Sequence, residues 1–303
     1  MPFVIQGSKA LENTPEPFHI GGNMDTVWLV GANGLNQGAP NNGWTSVGAH
    51  AFTVNGILQT ESGLVVASDT GLWEIANGAK RWLQLHDETM TSALSLVSAP
   101  VGIGMVVASA YGIATGEGDR LGVPRWSWYS DDLAVNERYS NVVIADPNDP
   151  LRWLVGTEAG VLVREHSEGR WIHSSLIGRP VRGLCWALGA FWAGVDEDGV
   201  WRSEDGVSWS RAGGGLDAVT VYSLTCVGDR LLVGLEGGVA VGDGVGRWVV
   251  QGPKIRSRVV AAQGDIWLVG ASPGGLWWSS DEGQRWQKTG DFVSVRSLIV
   301  REG

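Results

Sequence analysis

The chain has 303 residues, a formal net charge of -10 and 18% charged side chains. An acidic chain without a Lys/Arg run has no face to neutralise a nucleic-acid backbone, so nucleic acid is excluded as a partner, and no stretch reaches the roughly 18 apolar residues of a membrane span. With 44% hydrophobic residues, 45 Gly and 17 Trp, the composition describes short strands and tight turns whose gaps are filled by aromatic rings.

The first segment, MPFVIQGSKALENTPEPF, lacks the basic n-region and continuous apolar h-region of a secretory leader, so a cytoplasmic protein is expected. From Trp28 onward one phrase recurs seven times: a large apolar residue, a small or apolar pair, Gly or Ala, a short polar turn, Gly, a short strand and a closing Trp. The copies run WLVGANG to Trp44, LVVASDTG to Trp82, MVVASAYG to Trp126, WLVGTEAG to Trp171, FWAGVDEDG to Trp209, LLVGLEGG to Trp248 and WLVGASPGG to Trp286. Successive closing Trp residues lie 38, 44, 45, 38, 39 and 38 positions apart, a period of propeller blades. The expected fold is all-β: a seven-bladed β-propeller of four-stranded antiparallel blades, one domain over 1–303.

The fifth unit shows the strands of a blade: VRGLCWALG as A, AFWAGVD as B, GVWRSED as C and SWSRAG as D. Radial packing buries both faces of every sheet, so apolar residues need not alternate with polar ones. Two columns follow. Trp28, Leu64, Met105, Trp153, Phe191, Leu231 and Trp267 share a position on strand B, and Trp73, Leu162, Trp201 and Trp277 share one on strand C. These rings read as filler between sheets. No helical period interrupts the strands. The loops are short except for GANGLNQGAPNNG in blade one and GEGDRLGVPRWSWYSDDLAVNERYS between blades three and four.

After Trp286 the chain ends with DFVSVRSLIVREG, which matches strand A of blades five and six and has no B, C or D after it. It is expected to join blade one beside WLVGA and close the ring. The competing assignment uses Phe18 to Gly22 as that strand. The cysteines, Cys185 and Cys226, fall on opposite sheet faces when VRGLCWALG is aligned with VYSLTCVGD, so two buried free thiols are expected. Neither they nor the five His residues have metal spacing, and no metal or cofactor is expected.

Two turns carry a recognisable pattern. SSDEGQRW, from Ser279 to Trp286, fits Ser-x-Asp-x-Gly-x-x-Trp, and SEDGVSW, from Ser203 to Trp209, is one residue shorter. On these the chain resembles the Asp-box, or bacterial neuraminidase repeat, propellers, a family with sialidase-, sortilin- and photosystem-assembly-factor-like members. The resemblance implies a folding device on the periphery, where the Asp side chain bonds its own turn, and no particular activity.

Function is expected where strand A begins, at the rim of the central channel. Aligning the strands puts Ser92, Asn141, Arg182, Tyr222, Arg258 and Arg296 at one position there. Three Arg side chains around one mouth form a candidate anion site, because a guanidinium presents a planar fork to carboxylate or phosphate. In the long loop, Trp126, Trp128, Tyr129 and Arg138 are candidates for stacking on a sugar or contacting a partner. The reading is a non-catalytic ligand-binding or protein-assembly module, with a glycan, an anionic small molecule or a protein on the top face. The alternative is a glycoside hydrolase acting through turn carboxylates among Asp69, Glu158, Asp196, Glu197, Asp198 and Glu236. In its sialidase-like form three Arg residues hold a sugar carboxylate and Tyr222 is the nucleophile, which also requires an acidic partner for Tyr222.

Overall fold

The protein is represented by a computed structural model that describes residues 26–48, 50–78, 80–100, 104–117, 125–165 and 169–302. Among these residues, the apolar runs form seven four-stranded antiparallel sheets. Blades 2 to 7 are consecutive meanders over 54–84, 93–128, 140–177, 181–211, 221–251 and 257–289. Blade 1 combines Thr26–Ala32, Gly34–Ala39 and Gly43–Ser46 with Ser297–Glu302 from the far end of the chain. Its ladder sets Leu29 opposite Ile299 and Val30 opposite Leu298. The C-terminal strand therefore closes the ring; the competing segment, 18–22, lies outside the described residues.

Buried apolar side chains gather between the sheets. Each pair of neighbouring blades shares a cluster: Leu154 and Phe191 join blades 4 and 5, Trp192 and Leu224 join 5 and 6, and Trp28 and Leu268 join 1 and 7. The strand B column is the deepest layer, with Trp28, Trp153 and Trp267 at most 1% exposed. Each such ring removes roughly 150–250 Å² from water, worth about 4–6 kcal/mol at the usual area coefficient. The Gly or Ala of the repeated phrase has a steric cause. A Cβ on Gly156, Gly194, Gly234 or Gly270 would fall 2.4–2.7 Å from Val181, Val221, Ser257 or Val295, which open or immediately precede the inner strand of the next blade.

Three local expectations change. GANGLNQGAPNNG is strand Gly34–Ala39 and its turn rather than a loop, because Gly38 pairs with Trp28 on one side and Trp44 on the other and so continues the ladder. The long loop between blades 3 and 4 contains one helical turn, Val135–Arg138, too short to leave a 3.6-residue period. Cys226 is exposed while Cys185 is buried, so the two free thiols do not share one environment. Opposite faces of neighbouring inner strands meet different surroundings.

Candidate functional site

The inner strand of every blade starts at the rim. In blades 2 to 7 its ladder is interrupted by one extra residue: Asn55, Leu94, Asn141, Arg182, Tyr222 and Arg258. A bulge leaves its residue unpaired and re-aims the side chain. In blade 1 the equivalent residue is Arg296, whose amide donates to the Gly31 carbonyl at 2.9 Å as the strand begins. The ring therefore reads Arg296, Asn55, Leu94, Asn141, Arg182, Tyr222 and Arg258. Ser92 does not belong to it. It sits two residues upstream of Leu94 in a left-handed turn at φ 50°, and a two-residue slip keeps the same strand face, which is why alignment alone chose it. Asn55 was missed, although VNGIL matches VRSLI closely enough to have shown it.

Four arginines at this rim, Arg182, Arg256, Arg258 and Arg296, fall into two kinds. Arg182 is clamped, Nη1 donating to Glu158 at 2.5 Å and Nη2 to Asp196 at 2.7 Å. Asn141 donates to the same Glu158 oxygen and to the Val181 carbonyl, and Thr220 donates to Asp196 at 2.7 Å. Burial works against the Arg182 charge, but Asp196 and Glu158 outweigh it and raise its pKa. Burial would likewise raise Asp196, yet the bonds from Arg182 and Thr220 hold it below the usual carboxylate range. Arg256 is the second clamped group, a bidentate partner of Glu236 at 2.7–3.0 Å. Sequence reasoning missed Arg256, which lies in the preceding loop and outside the aligned position.

Glu236 also accepts a hydrogen bond from the Tyr222 hydroxyl. Bonds from Arg256 and then Tyr222 lower its pKa, while burial, followed by the bond to Glu236, pushes the Tyr222 phenol up. Arg258 lies over the Tyr222 ring, 4.5 Å from its centroid, a cation–π contact. Its pKa is lowered by burial, with repulsion from Arg296 and Arg182 adding to the effect. Arg296 is exposed and donates to the Asn55 amide oxygen at 3.3 Å. Among the described residues neither Arg258 nor Arg296 forms an ion pair. Below them the hydroxyls of Ser223 and Ser257 are buried without a partner.

The remaining turn acids are occupied differently. Asp69 caps the Thr53 amide at 3.0 Å, and buried Asp198 pairs with Arg179 and Arg211. The aromatic candidates of the long loop are half-buried and each is engaged within the protein. Trp126 donates to the Leu85 carbonyl and Trp128 to Thr89, Tyr129 carries Arg164 on its face at 4.3 Å, and Arg138 bonds the Leu133 and Asp131 carbonyls. On the opposite face, Asp205 accepts from the Val207 and Ser208 amides at 2.8 and 2.7 Å, and Asp281 accepts from the Arg285 amide at 2.9 Å. Asp243 makes the same contacts with Val245 and Gly246, a third such turn that lacks the leading Ser.

No protein-family model matches the chain, and no curated protein matches it in sequence. Its fold is similar to solved structures. The extracellular domain assigned to a one-component system of B. thetaiotaomicron superposes with TM-score 0.69 at 15% identity over 84% of this chain and 36% of that one. A second extracellular domain from B. thetaiotaomicron, assigned to a hybrid two-component system, gives 0.59 at 14% identity over 80% and 36%. The computationally designed protein Ika8 gives 0.57 at 15% identity over 89% of both chains. This chain thus spans about a third of the bacterial chains it resembles. Identities this low establish the propeller fold. The cytoplasmic expectation is corrected here: the B. thetaiotaomicron chains to which the fold is similar are extracellular domains, and the lack of a leader-like first segment was too thin a basis for the assignment. Among the described residues no helix is long and apolar enough to cross a membrane.

Proposed function

We propose that the chain is a non-catalytic ligand-binding propeller whose channel mouth takes an anionic group. The pair Arg258 and Arg296 carries this reading. They occupy equivalent positions on adjacent blades, neither has an acidic partner among the described residues, and Arg258 is both desolvated and repelled by its neighbours. An incoming anion relieves that repulsion and gains charge-assisted hydrogen bonds. The bacterial domains that share the fold are extracellular, which supports a module working outside the cytoplasm. The Ser203 and Ser279 turns, with their Asp-to-amide bonds, support reading them as Asp boxes.

One observation favours a second reading. Glu236 is an acidic partner for Tyr222 beside three Arg residues, the pairing a sialidase-like hydrolase requires. It ranks second because Glu236, the base that would take the phenol proton, is held by a bidentate Arg256 whose bonds lower its pKa and weaken it as a proton acceptor.

Calorimetry against anionic and neutral saccharides, run beside a hydrolysis assay, tests both. The expected result is salt-sensitive binding of anions without turnover, weakened by about tenfold or more in Arg258→Ala, the scale of one charge-assisted hydrogen bond. Turnover that disappears in Tyr222→Phe would replace the binding reading with the hydrolase.

A further inference from the structure

We infer that a groove at the outer edge of blade 7 binds an α-amino acid with an apolar side chain. The inference goes beyond the channel-mouth reading and does not rest on it. The groove has a volume of about 680 Å³, within the range of small-molecule sites. Its walls are the turn at Pro273 and Gly274, the outer strand at Lys288, and the connection through Asp291, Phe292 and Val293. Two backbone bonds fix these walls: the Gly274 amide donates to the Val293 carbonyl at 3.0 Å and the Val295 amide to the Ala271 carbonyl at 2.9 Å. Phe292 is braced edge-on by Trp44 of blade 1, with ring centroids 5.7 Å apart. The Lys288 stem lies over Gly275, within 3.0 Å of where a Cβ would be, and so reaches towards the turn.

Blade 5 shows which group suits this place. Trp201 donates to the Asp198 carbonyl at 3.2 Å as Trp277 does to the Gly274 carbonyl at 3.1 Å, so Asp198 and Gly274 are equivalent. Arg211 and Lys288 are equivalent too, each opposite that tryptophan in its ladder. In blade 5 the Asp198 carboxylate is 2% exposed and is met by the Trp201 indole, Arg179 and Arg211. In blade 7 the turn offers no carboxylate. Ile255, three residues before the bulge as Arg179 is in blade 5, lies against Gly274, and Lys288 makes no ion pair among the described residues. A ligand carboxylate on Lys288 therefore reproduces the contact that Asp198 makes with Arg211. The walls define the remainder of the ligand. Phe292, Pro273 and the 78% exposed Val293 present apolar surface, and Asp291 lines the same groove without touching Lys288. Two separated opposite charges match a zwitterion, with its carboxylate on Lys288, its ammonium on Asp291 and its side chain on Phe292 and Val293. A simple anion would face Asp291 as a like charge, and a simple amine would face Lys288.

The test is ligand-observed NMR titration at low salt and about pH 6, where carboxylate and ammonium are both charged. The probes are L-phenylalanine, L-phenylalanine amide and N-acetyl-L-phenylalanine. Phenylalanine is expected to bind saturably, and removal of either charge to weaken binding about threefold or more, the scale of an exposed charge contact. Lys288→Met should erase the preference over the amide, and Asp291→Asn the preference over the N-acetyl compound. Both residues are exposed, so both variants keep the fold, which an unchanged melting temperature checks. Arg258→Ala should leave all three affinities unchanged, separating this groove from the channel mouth. No saturable binding of phenylalanine, equal affinity for the three probes, or preferences that survive both groove variants overturns the inference. So does loss of phenylalanine binding in Arg258→Ala, which would move the amino acid to the channel. The channel-mouth reading stands or falls separately, on its saccharide titration.

Discussion

In blades 2, 3 and 4 the second strand ends on Ser68, Ser109 or Thr157, whereas in blades 5, 6 and 7 it ends on Val195, Leu235 or Ala271. The three hydroxyls close the turn on the arginine face: each donates to the carbonyl three residues on and accepts from the amide two residues on. Blades 5 to 7 place their side-chain caps on the opposite face instead, through Asp205, Asp243 and Asp281. The closing Trp residues differ as well. Trp82, Trp126 and Trp171 donate to carbonyls of the preceding blade, as Trp248 of blade 6 does to Gly213, but Trp209 and Trp286 donate to Gly206 and Gly283 of their own turn. One blade geometry is thus stabilised in two ways. In the uncapped turns of blades 5 and 6, Asp196 and Glu236 reach sideways to guanidinium groups, and from the hydroxyl-capped turn of blade 4 Glu158 reaches the same Arg182, so the charged part of the rim straddles the boundary between the two halves.

This contrast can be broken at its strongest point. Arg182→Ala leaves Glu158 and Asp196 facing each other without a cation, and since all three side chains are 25–30% exposed, a loss of about 2 kcal/mol is expected, below the range for a fully buried pair. Urea unfolding measures it; a change under about 0.5 kcal/mol would reduce the contact to a surface pair. In the other half, Thr157→Val removes both cap bonds at nearly constant shape and should cost about 1 kcal/mol. The reverse change, Val195→Thr, should gain nothing comparable, because Asp196 and the following residues are already bound elsewhere. A stabilised Val195→Thr would mean that the two halves are interchangeable.

The smallest effect is in acid. Asp205 and Asp281 are held at about 2, Asp205 by amide and hydroxyl bonds that overcome its burial and Asp281 chiefly by Arg285. An unfolded Asp titrates near 3.9. Because the folded pKa is the lower one, the stabilisation is complete above about pH 4 and is lost as pH falls towards 2. Melting temperature followed from pH 4.5 to 2 should therefore decline less steeply in Asp205→Asn than in the parent. Parallel curves would show that the turn bonds do not distinguish the carboxylate from its amide.

The ring was legible because its cause is periodic. Gly156 or Gly270 recurs where the next inner strand crosses, and Trp153 or Trp267 recurs where two sheets must be filled. The rim was legible only in part. Arg182, Tyr222, Arg258, Arg296 and Asn141 were found by alignment, since a repeat conserves backbone position within one chain. Leu94 was displaced by Ser92, because nothing in an apolar strand marks which residue bulges. The partners of the arginines stayed hidden. Glu158, Asp196 and Glu236 were visible as turn acids, but the choice between capping a turn, as Asp69 does, and holding a guanidinium depends on loop direction.

The paired strands of blade 1 have a mechanical consequence. Thr26 lies opposite Glu302 at the end of the ladder away from Arg296, about 20 Å from it along the strand. Chain leading to the one and from the other meets the ring at a single rung, on the far side from the arginines. Tension between those two points would part the ladder rung by rung, as a zip opens, instead of loading all its bonds in shear. An attachment there would feel traction first in blade 1, at the end of its ladder away from Arg296.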